Sequence, residues 1–263
     1  MTDRKSPGTE FRRRFLGAQE PLFGSFIKTP SPHSIEILGG LGFDFVVIDA
    51  EHAPFDRGST EISLLAARAS GVAAIVRVAS SAPEHLLAAL DDGASGVIAP
   101  HITSAAKAQD LVAACRYAGR RGFSNSPRAG GYGARNIWQH VDMADKEVTV
   151  IAMIEDPEAI DDIDAILAVN GLDGVFVGRG DLAVALQDRE PDTPQVRAAT
   201  DRVIKATRQI GKPVCLLASG PAEAREFVAC GVTAFVISSD QGFMRSAAAS
   251  ALKDYKSAAS ISQ

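Results

Sequence analysis

Cysteine, tryptophan and long apolar runs are all scarce in this sequence, and each shortage removes a class of protein. Cys115, Cys215 and Cys230 are the only cysteines in 263 residues. Odd in number and widely spaced in apolar or helical sequence, they exclude a disulfide framework and read as small buried hydrophobes in a reducing compartment. No stretch approaches the roughly 18 apolar residues that cross a bilayer, and the N-terminus lacks the apolar core of a secretory signal. Positive charge is not in excess: 27 Lys and Arg stand against 32 Asp and Glu, a formal charge of -5. That balance argues against nucleic acid or an anionic membrane as partner. Residues 1–20, with Arg4, Lys5, Arg12, Arg13 and Arg14, are expected to form a solvated tail or an interface arm. A cytoplasmic protein is the expectation.

What the sequence does contain is a rhythm. Hydrophobic residues make up 46% and charged residues 22%, enough for one large domain, placed at residues 21–258. Short apolar, β-branched segments recur: FGSF (23–26), FVVID (45–49), AIVRV (74–78), GVIAP (96–100), VTVIAMIE (148–155), GVFVG (174–178), PVCLLA (213–218) and AFVIS (234–238). Continuous rather than alternating apolar character predicts strands buried on both faces, as in a parallel sheet.

Between them lie helical segments with recognisable starts. Ser31-Pro32 offers a capping hydroxyl and a first-turn proline. Ser81-Ala82-Pro83-Glu84 reads as a capping box before Leu86, Leu87 and Leu90. Asp156-Pro157-Glu158 opens another helix, and a last one covers roughly residues 242–257. Gly71, Gly93, Gly171, Gly211 and Gly231 sit where helices should stop. Eight such units predict a (β/α)8 barrel. An open doubly wound sheet is the competitor, but it usually carries a glycine-rich phosphate turn after its first strand, and none is present there. Residues 119–147 break the rhythm with five glycines and the only tryptophan. A loop of that length is expected to be functional or interfacial, here in contact with a neighbouring subunit.

A barrel places its chemistry where the strands' C-terminal ends emerge, so the polar residues there are the candidates. Glu155 ends the fifth strand and Asp181 follows the sixth. Two carboxylates supply part of a coordination sphere that suits Mg²⁺ or a similar hard ion. Arg77 interrupts an apolar strand, and its partner is a substrate carboxylate, a developing oxyanion, or a salt bridge closing the barrel end. His52, close to Asp49 and Glu51, has the surroundings of a general base. His33, His85, His101 and His140 are expected to be structural, although His101 directly follows the fourth strand. Lys28 is the one Schiff-base candidate, for a metal-free alternative.

The stretches GFDFVVIDAEHAP (42–54), IVRV (75–78), LDDGASGVIAP (90–100), MIED (153–156) and GLDGVFVGRGDLA (171–183) resemble the class II pyruvate aldolases of the HpcH/HpaI type. These are barrels of the phosphoenolpyruvate/pyruvate superfamily, and the resemblance spans roughly residues 20–255. It implies that Glu155 and Asp181 bind Mg²⁺, Mn²⁺ or Co²⁺, with the 2-oxo acid chelating the same ion. It implies that His52 is the base, that Asp91 raises its basicity, and that Asp49 lies near the aldehyde end of the pocket. Arg77 would stabilise a pyruvate enolate, and the backbone at Gly180 and Asp181 would hold the pyruvate carboxylate. Met153 stands where many relatives carry a substrate-binding glutamine, and Arg179 where many carry proline. The implied reaction is reversible cleavage of a 4-hydroxy-2-oxo acid to pyruvate and an aldehyde. The implied assembly is a hexamer, a trimer of dimers that exchange the last helix. A citrate-lyase-like CoA lyase, an oxaloacetate-type decarboxylase and a non-catalytic barrel subunit are the alternatives.

Overall fold

The computed structural model describes residues 6–189 and 193–260. Its strands are β1 (Leu22–Ile27), β2 (Phe45–Asp49), β3 (Ala73–Arg77), β4 (Gly96–Ala99), β5 (Thr149–Ile154), β6 (Gly174–Val177), β7 (Val214–Leu217) and β8 (Ala234–Ser239). All are parallel and pair in chain order, with β8 returning to β1 to close the barrel. Each lies within one residue of its expected bounds at either end, because buried parallel strands announce themselves as unbroken apolar runs.

The helices are α1 (Pro7–Gly17), α2 (Pro32–Gly40), α3 (Arg57–Ser70), α4 (Pro83–Asp91), α5 (Ala105–Cys115) and α6 (Ile137–Glu147). They continue with α7 (Pro157–Asp161), α8 (Ile163–Leu167), α9 (Arg179–Ala185), α10 (Pro194–Ile210), α11 (Pro221–Cys230) and α12 (Asp240–Ser260). Ser31 caps α2 as expected. Gly71, Gly211 and Gly231 end their helices in the left-handed conformation. The capping box at Ser81 does not form. Proline at 83 holds the residue before it extended, so Ala82 becomes the N-cap and Ser81 falls one position too early. Ser80 does the local work instead, its Oγ accepting from the Ala82 N–H at 3.3 Å. The helix after Asp156 breaks at Asp162, whose carboxylate turns to accept the Ala105 N–H.

Two apolar layers result. Alternate strand residues such as Val47, Ile75, Ile151, Met153 and Phe176 fill the barrel interior, while their neighbours Val46, Val76, Ala152 and Val175 pack outward against the helices. Period two therefore points Phe45, Val47 and Asp49 inward together, and likewise Ile151, Met153 and Glu155.

Arg4 and Lys5 lie outside the described residues, but the part of the N-terminal segment from Pro7 to Gly17 is a docked helix and not a solvated tail. Within it α1 plugs the barrel's lower end: Phe11 and Phe15 are buried and stacked 5.4 Å apart. Arg12 pairs with Asp173 and Arg14 with Asp44, each at 2.5 Å. A Cβ on Gly174 would come within 2.9 Å of the Phe15 ring, so a glycine opens the space this plug fills. Burying two phenylalanines is worth about 1.5–3 kcal/mol each, and that gain is absent from any reading of local charge alone.

The 119–147 segment is a loop only in its first part; α6 forms its second half. The last helix behaves differently from the others. Beyond Phe243, which meets Phe43 edge-on, residues 244–259 of α12 are exposed, including Met244, Leu252 and Tyr255.

Candidate active site

The polar ends of β2, β3 and β5 meet at the upper mouth. Asp49 is wholly buried, and Arg77 grips it with two hydrogen bonds, Nε to Oδ1 at 2.9 Å and Nη2 to Oδ2 at 2.7 Å. The Lys28 ammonium adds a contact at 3.1 Å, and the His52 backbone N–H donates to Oδ1 at 3.1 Å. Burial works to raise the Asp49 carboxyl, but the hydrogen bonds and charge of Arg77 outweigh it and hold the group below the usual aspartate range. Asp49 is thus the anchor of Arg77. Lys28 is committed to that same anchor.

Arg77 makes the salt bridge that was one of its possible roles, and it also faces the cavity. One edge of the guanidinium closes the salt bridge. The other atom, Nη1, faces Glu51 Oε2 at 3.4 Å and the Met153 sulfur at 4.0 Å, with the Phe26 ring 4.8 Å beneath the guanidinium carbon. Arg77, Met153, His52, Gly180 and Asp181 all line one cavity of about 620 Å³.

Glu155, 2% exposed, sits beside this cavity at the end of β5. The His101 backbone N–H donates to its Oε1 at 2.9 Å, made possible by a left-handed backbone at His101 with φ 54°. The His101 ring turns to Asp156 at 3.1 Å. Burial opposes a charge on that imidazole, yet Asp156, Glu155 and Glu51 together raise its basicity. Ligand atoms of Glu51, His101 and Glu155 lie within 4.8 Å of one another. Sequence alone leaves Glu51 without a role and reads His101 as structural, yet both join this cluster. The signals were there: Glu51 shares the inward parity of Val47 and Asp49, and His101 abuts a strand end.

These groups fit a divalent cation. Glu51 Oε2 is buried and, although Arg77 Nη1 stands 3.4 Å away, it accepts no hydrogen bond from the described residues, which leaves its lone pairs free for a further ligand. Burial pushes the Glu155 carboxyl up to about 7, the His101 N–H and charge pull it down, and the charges of Asp181 and Glu51 add to the rise. Asp181 itself is exposed in the first turn of α9. Gly178 is required for this crowding, since a Cβ there would lie 2.6 Å from the Glu155 Cβ. A carboxyl held protonated up to about 7 must release its proton before it can ligate a cation. Mn²⁺ affinity is therefore expected to fall as pH drops below neutrality, by up to about tenfold per unit. Calorimetric titrations one unit either side of neutrality check this; a flat profile would contradict it.

His52 lines the cavity, with its ring half exposed and Nε2 3.7 Å from Glu51 Oε2. The expected support from Asp91 is not made within the chain. Asp91 closes α4, which runs antiparallel to the strands, so it lies at the lower end and accepts from Arg121 at 2.9 Å. Arg179 also lines this cavity, and there it pairs with Glu223 at 2.7 Å; Glu223 in turn accepts the Ser219 N–H and hydroxyl.

Among the described residues, no helix is long and apolar enough to cross a membrane. The HpcH/HpaI aldolase/citrate lyase family model matches residues 22–247. A 5-keto-4-deoxy-D-glucarate aldolase of Shigella dysenteriae is 35% identical over 88% of this chain and 91% of its own length. The crystal structure of an HpcH/HpaI aldolase/citrate lyase family protein from Burkholderia cenocepacia superposes with TM-score 0.89 at 30% identity, covering 95% of this chain and 99% of that one. The citrate synthase SbnG superposes with TM-score 0.85 at 28% identity, over 95% and 98% of the two chains. The chain therefore belongs to the HpcH/HpaI aldolase/citrate lyase family of carbon–carbon lyases.

Proposed function

We propose that the chain is a divalent-metal-dependent aldolase that reversibly cleaves a 4-hydroxy-2-oxo acid to pyruvate and an aldehyde. The single observation that carries this reading is the cluster of Glu51, His101 and Glu155 beside a cavity faced by Arg77. Glu155, with Glu51, His101 and Asp181 around it, would hold the cation. When bound, Mg²⁺, Mn²⁺ or Co²⁺ supplies a Lewis acid that acidifies the carbon next to the keto group. His52 takes the proton of the C4 hydroxyl as the C3–C4 bond breaks. Arg77, held rigid by Asp49, offsets the negative charge that develops on the enolate. The N–H groups of Gly180 and Asp181 open α9 without helical acceptors and suit the substrate carboxylate. Met153 contributes shape rather than a hydrogen bond.

The relative acting on 5-keto-4-deoxy-D-glucarate makes that sugar diacid the first substrate to test. Hydroxyls of Ser219, Ser238 and Ser239 on the same cavity wall suit its hydroxylated half. The test is pyruvate release from a panel of 4-hydroxy-2-oxo acids, with oxaloacetate as the decarboxylation control, before and after EDTA. Turnover is expected on the panel, lost on chelation and restored by Mn²⁺. Full activity after complete chelation, or an imine trapped by borohydride at Lys28, would overturn the reading.

The proposed assembly draws its support from α12. A 21-residue helix with Met244, Leu252 and Tyr255 exposed supports exchange of this helix between two copies, three such dimers making a hexamer. Exposed Tyr132, Ile137 and Trp138 give the 119–147 segment a surface for the same assembly. Truncation after Phe243 is expected to reduce the particle to monomers by light scattering. An unchanged mass would count against the exchange.

A further inference from the structure

A second cavity, of about 220 Å³, opens at the lower end of the barrel, away from the mouth. It lies between α3, α4 and the 119–147 segment, and four arginines line it: Arg68, Arg121, Arg128 and Arg135. Two of them are buried, the Arg121 side chain being 1% exposed and that of Arg128 7%. Both are only partly satisfied. Arg121 Nη2 donates to Asp91, and its guanidinium stacks 4.5 Å from the Tyr117 ring. Its Nε has no acceptor among the described residues. Arg128 pairs with Glu61 through Nη2, while its Nε and Nη1 are buried and likewise without acceptors.

Such a donor left without a partner costs on the order of 1–3 kcal/mol. Three of them, from two cations that stay charged at any physiological pH, call for an acceptor carrying negative charge. The cavity's own acid is Glu147, already engaged with the Thr9 hydroxyl. Gly93 keeps the arrangement compact: its φ is 99°, and a Cβ there would stand 3.1 Å from the Arg128 Cδ. The donors are therefore held in place before any ligand arrives. At about 220 Å³ the space is below the roughly 300–1,000 Å³ typical of pockets for drug-sized ligands. It suits phosphate or a short phosphate ester and excludes a nucleotide.

We propose that this lower cavity is a binding site for a small phosphoryl oxyanion, free or carried on a short metabolite, separate from the catalytic mouth. The full-length enzyme is titrated by calorimetry with inorganic phosphate and, separately, with glycerol 3-phosphate. Saturable binding of at least one is expected, with one site per chain. Tighter binding of the ester assigns the site to a metabolite; equal or tighter binding of phosphate assigns it to the free ion. Arg128→Gln is expected to weaken binding by about tenfold or more, and Arg68→Gln, at the exposed rim, by less. Glu155→Gln should leave it unchanged, which separates this site from anion held at the mouth. If Arg128→Gln does not fold, the decision passes to Arg68→Gln. Absence of saturable binding by either anion, binding that the deciding arginine variant leaves intact, or binding lost with Glu155→Gln overturns the proposal.

Discussion

Replacing Glu155 with alanine is expected to abolish divalent-cation binding and to lower kcat/KM for pyruvate release by about 10³-fold. Glu155 is the most enclosed of the candidate ligands and takes the His101 backbone N–H, so no neighbour can substitute for it. The same replacement carries a signature that general damage would not. Its carboxyl is raised to about 7, first by burial, so above that pH the metal-free protein holds a charge it would rather lose. A carboxyl raised in the folded state weakens folding as pH climbs from its ordinary value through about 7. Glu155→Gln keeps an acceptor for His101 and removes the charge. Metal-free Glu155→Gln should therefore melt no lower than the parent in mildly alkaline buffer, while both substitutions lose the cation. Parent-like Mn²⁺ affinity in Glu155→Ala would refute the assignment.

Arg77→Ala should separate the two halves of the site. Cation binding persists, because Arg77 is not among the ligands, while turnover falls by about 10²–10³-fold through loss of charge at the enolate. Stability falls too, by about 3–5 kcal/mol, since Asp49 loses both hydrogen bonds of its principal partner inside the barrel. The double substitution Arg77→Met with Asp49→Asn should recover much of that stability without recovering activity, since apolar or neutral replacements of a buried pair are often tolerated. Melting curves, cation titration and a pyruvate assay on the three proteins decide it. If Arg77→Ala turned over like the parent, its catalytic assignment would fail.

The strands were legible because burial on both faces leaves unbroken apolar runs, and the parity of those runs already pointed Asp49, Arg77 and Glu155 inward. The site's remaining members were harder to see. His101 enters through a left-handed residue, a conformation that local pattern does not announce in a non-glycine residue. Glu51 keeps the inward parity of Val47 and Asp49, but it sits in the turn after β2, beyond the apolar run that marks the strand. Asp91 does not reach His52 within the chain for a topological reason: α4 carries its end away from the mouth, where it meets Arg121. Arg12 and Arg14 looked like surface charge because their partners, Asp173 and Asp44, are distant in sequence or on another element. The orphaned donors of Arg121 and Arg128 exist only once the loop is folded.

The helix beneath the barrel also bears on the order of assembly. α1 is the first described element that a ribosome would deliver, yet Arg12 meets Asp173 across 161 positions of sequence. Its Phe15 rests against Gly174 at the start of β6. A nascent chain therefore carries Phe15 without its seat on β6 until more than half of the barrel has been made, and this early helix is among the last to dock fully. Closing so distant a contact is slow, so early folding intermediates of this chain should bind hydrophobic dyes or chaperones through a segment that is fully hidden in the finished molecule.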